Sequence, residues 1–138
     1  MDKALNFLAL AKKGRLVELG EEPVGAITHT GKGYLVVVAG DASDHTWRRA
    51  KSFVAGTNQQ CIRVRFTKEE MGFVVGRTSL AIAAITDCSM ALAFAKALGE
   101  PEKYKEVLSA LEDKAGKLKK RQSEAKAHQK NVRMGKKK

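Results

Sequence analysis

The chain has 138 residues and a net charge of +11, which allows one domain with a hydrophobic core and a basic extension. Its apolar runs are too short to predict a membrane span, and its first residues do not show a signal-peptide pattern. The two isolated cysteines, Cys61 and Cys88, predict buried thiols in the cytoplasm and exclude a spaced metal site.

The first part of the chain predicts two helices separated by a short strand. Asp2 is a suitable N-cap for a helix over residues 3–13, and residues 15–19 (RLVEL) predict the strand. A second helix opens at residues 20–22, just before Pro23. Proline suits a first helical turn, and the acidic residues favour the positive end of the helix dipole.

The strongest strand signal is residues 34–39 (YLVVVA). Such an unbroken apolar run is typical of a strand buried on both faces at the centre of a sheet. Ser43 or Asp44 then offers an N-cap for a third helix over residues 44–55. The alternating run at residues 61–66 (CIRVRF) predicts a strand with one solvent-exposed face.

The next segments continue the alternation of helix and strand. Thr67 and Glu70 are spaced as a capping box for a short fourth helix. Residues 80–86 predict a small, apolar fourth strand, and Asp87 is a suitable N-cap for a fifth helix. This alternation predicts that residues 1–99 form an α/β domain, a three-layer α/β/α sandwich with a mixed four-stranded sheet.

Residues 100–138 predict a C-terminal helix that continues into a basic tail. Apolar residues recur at helical spacing from Tyr104 to Leu118, so we expect one stripe of this helix to dock on the domain. Later residues have too few apolar side chains to pack, and we expect them to be disordered without a partner. Residues 114–138 hold eleven Lys or Arg against one acid, Glu124. This imbalance favours a polyanionic partner such as nucleic acid over a merely solubilising tail.

Four of these segments together resemble the ribosomal L-seven-Ae/L-thirty-e superfamily, in particular its bacterial ylxQ-like branch. They are residues 20–22 (GEE), residues 35–43 (LVVVAGDAS), residues 68–72 (KEEMG), and Gly76 ahead of an apolar strand. The resemblance covers about residues 3–98. It implies an α/β/α sandwich that binds kink-turn RNA, a sharply bent duplex with an internal bulge.

The resemblance also implies which residues contact the RNA. They lie at the start of the second helix and in the loop before the last strand: Gly20, Glu21, Glu22, Arg77, Thr78, Ser79 and Leu80. Asp41 lies where the family has an acidic residue near the same surface. Further cations are predicted to contact phosphates: Arg48, Lys117, Lys119, Lys120 and Arg121.

One part of the motif departs from the archaeal members, which have Gly-x-Asn-Glu-x-x-Lys at the second helix. Here the Asn, Glu and Lys positions hold Glu22, Pro23 and Ala26. A carboxylate only accepts hydrogen bonds, whereas an amide also donates them. The lysine of the motif, which would contact a phosphate, is absent as well.

The sequence does not offer a catalytic or metal-binding constellation. His29, His45 and His128 are isolated from one another, and helix capping explains Asp41 and Ser43 better than a catalytic triad does. We therefore interpret the chain as a non-enzymatic, monomeric RNA-binding protein without cofactor or metal, bound to the ribosome or to another structured RNA. The alternatives are a protein-interaction module of the same fold with a decayed RNA site, and the RNA-targeting domain of a modification enzyme.

Overall fold

The computed structural model describes residues 2–118. Helices and strands alternate along the chain as the sequence predicts, and together they form a three-layer α/β/α sandwich with a mixed four-stranded sheet. The elements are α1 (Lys3–Lys13), β1 (Val17–Leu19), α2 (Glu21–His29), β2 (Leu35–Val38), α3 (Asp44–Val54), β3 (Gln60–Arg63), α4 (Lys68–Val74), β4 (Ile82–Ile85), α5 (Cys88–Ala97) and α6 over residues 105–118.

The strand order in the sheet is β1-β4-β2-β3. β4 pairs antiparallel with both β1 and β2, and β2 pairs parallel with β3. Three strands therefore run in one direction and β4 runs in the other. The C-terminal ends of β1, β2 and β3 and the N-terminal end of β4 meet at one end of the sheet. This end, here called the upper edge, comprises Gly20, Gly40, Val64 and Ala81. The opposite end, the lower edge, comprises Leu16, Tyr34, Gln59 and Thr86.

The central strand is buried as its composition predicts. All four residues of β2 are inaccessible to solvent, and so are Ala83, Ala84 and Ile85 of β4. α2 packs on α3, whereas α1 packs on α4 and α5, so helices cover the sheet on both faces. The interior strands can therefore consist almost wholly of aliphatic side chains.

Side-chain caps set the start of four helices. Asp2, Ser43, Thr67 and Asp87 each accept a hydrogen bond from a backbone N–H of the first turn that follows. The predicted capping box is present, since Glu70 also accepts from the Thr67 N–H at 3.0 Å. Because these contacts join residues close together in the chain, the starts of these helices could be predicted from local sequence.

All four strands are shorter than the predicted runs. β2 spans Leu35–Val38 and β4 spans Ile82–Ile85, whereas residues 34–39 and 80–86 were predicted. Arg15 adopts a left-handed backbone conformation with φ 59° and belongs to the turn after α1, so β1 begins only at Val17. β3 ends at Arg63 rather than at Phe66, because its partner β2 ends at Val38. The predicted alternation nevertheless holds through Phe66, which is buried, as are Ile62 and Val64.

The last helix packs on the domain but begins later than predicted. Residues 101–104 form turns, and α6 starts at residue 105. Tyr104 and Leu111 are buried, and the Tyr104 hydroxyl donates to the backbone oxygen of Arg63 at 3.0 Å. Tyr104 and Leu111 therefore dock the expected apolar stripe on the domain. The domain boundary after residue 99 stays a prediction. The expected disorder of the tail concerns residues 119–138, which lie outside the described residues.

Within residues 2–118, none of the helices combines the length and the hydropathy that a membrane crossing requires. Helix α6 is amphipathic and carries several lysines. Its apolar side chains Val107, Leu108 and Leu111 pack against the core of the domain.

Candidate nucleic-acid interface

The two segments that the resemblance singles out meet at the upper edge. Gly20 follows β1 directly, and its N–H donates to the backbone oxygen of Ile82 in β4 at 3.0 Å. The loop over residues 77–80 leads into the same end of β4. A β-carbon built on Gly20 would lie 3.7 Å from Nη1 of Arg77. The strand order thus makes neighbours of two segments that are far apart in sequence.

The start of α2 offers unpaired backbone donors. Gly20 is the N-cap with φ 97°, a conformation that glycine adopts readily, and it has no side chain to occupy the N–H groups of the first turn. Glu21 and Glu22 are the residues of this turn that can supply such donors, because Pro23 lacks an N–H and the Val24 N–H donates to the Gly20 oxygen. Glu22 is exposed, whereas Glu21 forms an ion pair with Arg49 of α3.

Arg49 was not among the residues predicted from sequence. Its guanidinium also lies 5.3 Å from the centre of the Phe53 ring, one turn further along α3. The contact with Glu21 joins two helices that pack side by side, so only tertiary packing reveals it. It partly neutralises the negative charge at the start of α2.

The loop over residues 77–80 rests directly on α4. A β-carbon on Gly72 would lie 2.8 Å from the backbone oxygen of Arg77 and 2.8 Å from the nitrogen of Ser79. Arg77 N–H also donates to the Gly72 oxygen at 2.8 Å. Glycine at position 72 therefore allows the loop to approach the helix backbone and fixes its position.

The side chains of this loop divide into two kinds. Arg77, Thr78 and Ser79 are exposed and carry one guanidinium and two hydroxyl groups. Leu80 is buried, so its side chain anchors the loop and is not accessible to a ligand. Any contact of Leu80 with a partner would involve its backbone.

Asp41 also lies at the upper edge, but its carboxylate is already engaged. Oδ1 accepts a hydrogen bond from the Lys68 N–H at 2.7 Å, at the first residue of α4. This contact ties the turn after β2 to the start of α4. The geometry gives Asp41 a structural role beside the loop over residues 77–80.

Two of the remaining predicted cations lie within the described residues, and they are on different helices. Arg48 is exposed on α3. Lys117 is exposed near the end of α6, where it lines a groove with Tyr34 and Gln60 at the lower edge, opposite the loop over residues 77–80. Lys119, Lys120 and Arg121 lie outside the described residues.

Acids and bases are nearly balanced at the upper edge. Arg77 is the single basic residue of the two segments, whereas Glu21, Glu22 and Asp41 are acidic, and Glu21 is paired with Arg49. Such a surface suits ligand recognition by oriented hydrogen-bond donors and by shape. It does not create a strongly positive field.

The titratable groups do not suggest a metal or a reactive nucleophile. In residues 2–118, His, Cys, Asp and Glu side chains do not form a group of three or more that could hold a metal ion. Burial raises the pKa of the Cys61 thiol to about 12, so it stays protonated near neutral pH. Burial likewise raises the pKa of Cys88.

Comparison with known proteins establishes the fold of the chain. No protein-family model matches it, and no curated protein matches it either. A structure of a protein of unknown function from Bacillus halodurans is 23% identical with a TM-score of 0.67, covering 72% of this chain and 100% of that one. The Giardia lamblia 15.5kD RNA binding protein is 16% identical with a TM-score of 0.59, covering 73% of this chain and 86% of that one. At these identities the likeness shows a shared fold.

Proposed function

We propose that the protein binds structured RNA through its upper edge, without catalysing a reaction. The observation that carries the proposal is the contact between residues 20–22 and the loop over residues 77–80, which brings together the two segments that the resemblance implies for RNA contact. A structural neighbour from Giardia is named an RNA binding protein, and it supports the proposal at the level of the fold.

The chemistry of the upper edge suits a phosphate backbone held in a fixed shape. The free N–H groups at the start of α2 can donate to phosphate oxygens, since a helix N-terminus combines such donors with a positive dipole end. Arg77 adds a permanent charge with planar donors, and Thr78 and Ser79 add hydroxyl donors. The carboxylate of Glu22 repels phosphate but can accept from an amino group on a base edge.

We further propose that the target is a bent, kink-turn-like RNA and that the chain belongs to the ylxQ-like branch of the superfamily. The support is the motif resemblance at residues 20–22, 35–43, 68–72 and Gly76. In this proposal the protein acts in the cytoplasm as a monomer, and the ribosome is the main place where such an RNA would be met. The basic tail would add affinity through phosphates without sequence preference.

The test is a titration of the full chain against a kink-turn RNA and a straight duplex at one fixed salt concentration. Arg77→Ala should weaken kink-turn binding by roughly five- to a hundred-fold, the value of about 1–3 kcal/mol for a specific charged hydrogen-bonded contact. Arg15→Ala is the matched control, because Arg15 is exposed at the other end of β1. Equal losses in the two variants, or equal losses on both RNAs, would contradict an RNA-reading site at the upper edge.

A specific observation favours a second candidate, a protein-interaction module. Phe73 on α4 is 76% exposed and lines a groove of about 570 Å³. The other lining residues are apolar (Leu5, Phe66 and Val74) or charged (Asp2, Arg65, Glu69 and Glu70). A large exposed aromatic side chain beside other apolar groups is typical of a docking surface. Phe73→Ser should leave kink-turn affinity unchanged if RNA binding is the function. A protein that fails to bind either RNA would give this candidate the lead.

A further inference from the structure

We propose that the lower edge carries a second RNA-binding groove, which takes a single-stranded segment while the upper edge holds the bent RNA. The inference rests on the proposed function only in taking RNA as the ligand. The lower groove is defined by Tyr34, Asn58, Gln60, Lys114 and Lys117, with a volume of about 530 Å³. This volume lies within the range of about 300–1,000 Å³ that is common for ligand pockets.

Three elements converge to form the lower groove. Tyr34 precedes β2, Asn58 and Gln60 lie at the start of β3, and the two lysines project from α6. The Gln60 side-chain amide donates to the Asn58 backbone oxygen at 3.2 Å, which orders this side of the groove. The position of the groove is thus set by the sheet and by the docking of α6.

The lower groove combines an aromatic ring with cations. The Lys114 ammonium lies 4.9 Å from the centre of the half-buried Tyr34 ring. Lys117 follows three residues later, which places it on the same side of α6. Tyr34 also lines an adjoining groove of about 200 Å³. Proteins hold unpaired bases on aromatic side chains within positively charged grooves, and the lower groove has both elements.

Asn58 adds a group that can read a base edge. It is exposed, and its side-chain amide can both donate and accept hydrogen bonds. In a duplex the ring faces of the bases are stacked and the Watson–Crick edges are paired. The lower groove can therefore use its aromatic and amide groups fully only on a single strand.

Charge favours a polyanion at this place. Asp113 is the one acidic residue among the described residues that line the lower groove, against Lys114 and Lys117. In sequence, the two lysines are followed by a strongly basic segment, since residues 114–138 carry eleven Lys or Arg and one acid. This composition also favours a polyanion.

The two sites are separated by the length of the sheet. Strands of about four residues at roughly 3.3 Å per residue keep the upper and lower edges about 13 Å apart, before the loops are added. The surfaces do not share a residue. The protein can therefore hold two RNA segments at once, or two parts of one folded RNA.

The experiment uses the full chain, a fluorescent polyadenylate and a fluorescent kink-turn RNA. Lys114→Ala with Lys117→Ala should weaken polyadenylate binding about fivefold or more and lower its salt slope by roughly 0.7 for each lost phosphate contact. The control is Lys103→Ala with Lys105→Ala, which removes the same charge around the start of α6. It should weaken polyadenylate binding much less. Kink-turn affinity should change little in either variant.

Two further variants test the ring and the amide. Tyr34→Leu keeps the apolar bulk against the domain but removes the ring on which a base can stack. It should weaken polyadenylate binding roughly five- to a hundred-fold. Asn58→Ala alters an exposed loop residue, so it tests the groove even if Tyr34→Leu lowers stability. Unchanged polyadenylate affinity in Asn58→Ala and the lysine variant would overturn the proposal.

Competition separates this inference from the proposed function. Polyadenylate should still bind when the protein is saturated with kink-turn RNA, whereas full displacement would overturn the inference. If the kink-turn RNA does not bind but polyadenylate depends on Tyr34 and Lys117, the lower groove stands and the upper-edge function fails. Polyglutamate that binds with the same dependence on these residues would show an acidic-peptide site instead, and would also overturn the inference.

Discussion

Arg77 lies against Gly20, since a β-carbon built on Gly20 would be 3.7 Å from Nη1 of the guanidinium. The two residues lie far apart in the sequence. They meet at the same end of the sheet because Gly20 follows β1, Arg77 precedes β4, and these two strands pair. The guanidinium therefore lies within ordinary van der Waals reach of the start of α2. This contact is the basis of the proposed RNA-reading surface.

The first prediction concerns the departure from the archaeal motif. Glu22→Asn with Ala26→Lys should tighten kink-turn binding by roughly five- to a hundred-fold, since it adds a base-edge donor and a phosphate contact on exposed positions of α2. Straight-duplex affinity should change far less. The control, Glu106→Asn with Ser109→Lys, makes the same charge change on the exposed side of α6. An equal gain in the control would mean that net charge alone is responsible.

The second prediction contrasts two glycines. Gly72→Ala should lower the free energy of unfolding by about 1–3 kcal/mol, because its β-carbon would lie 2.8 Å from backbone atoms of the loop that carries Arg77. Gly116→Ala in α6 should raise it by about 0.5–1 kcal/mol, because nothing lies within 4 Å and alanine favours the helix. Urea denaturation measures both. A neutral Gly72→Ala would show that the loop moves freely.

The third prediction concerns the basic tail. Deletion of residues 119–138 removes nine Lys or Arg and one acid, Glu124. The slope of log K against log salt on duplex RNA should fall by roughly 0.9 for each phosphate that the tail neutralises. Titrations at several salt concentrations give the slope. If it stays the same, the tail does not touch RNA.

The fourth prediction concerns the C-terminal helix and the stability of the domain. Deletion of residues 119–138 should leave the thermal midpoint almost unchanged, because the buried anchors Tyr104 and Leu111 remain. Deletion from residue 104 onward should lower it clearly, since burying one large apolar side chain contributes about 1.5–3 kcal/mol. Equal midpoints for the two truncated proteins would refute this division.

The fifth prediction concerns acid stability. Burial alone would raise the pKa of Asp2, but hydrogen bonds from Arg65 and from the Ala4 N–H outweigh it and hold the pKa below its ordinary value. A depressed carboxyl pKa stabilises the fold above the ordinary value, and this contribution is lost as the pH falls through the folded-state pKa. Asp2→Asn keeps an N-cap acceptor but removes the charge.

This variant should lose about 0.2–1 kcal/mol of stability at neutral pH, the range for a partly exposed ion pair. The difference from the parent should shrink as the pH falls below the ordinary carboxyl value and through the lowered folded-state pKa of Asp2. Glu102→Gln, an exposed acid in the turn before α6, is the control. A difference that persists undiminished in acid would mean that Asp2 acts only as a cap.

The sequence by itself determined the fold class and most of the helix starts. The short, valine-rich apolar run at residues 34–39 predicted a strand covered on both faces, and residues 35–38 of it form β2. The N-caps at Ser43, Thr67 and Asp87 could be predicted from local sequence, because each capping hydrogen bond joins residues that are three positions apart. The start of β1 and the end of β3 could not be predicted from local sequence. The start of β1 depends on the left-handed conformation of Arg15, and the end of β3 depends on where its partner β2 ends.

The tertiary structure alone decided how the candidate residues are grouped. The strand order joins Gly20 to Arg77, and the packing of α2 on α3 pairs Glu21 with Arg49. The same topology assigns Asp41 to the start of α4 and sends Lys117 to the lower edge. None of these contacts leaves a local signal, since each joins segments brought together by sheet pairing and helix docking. Local propensity fixes the elements, whereas burial of the shared core fixes which loops meet.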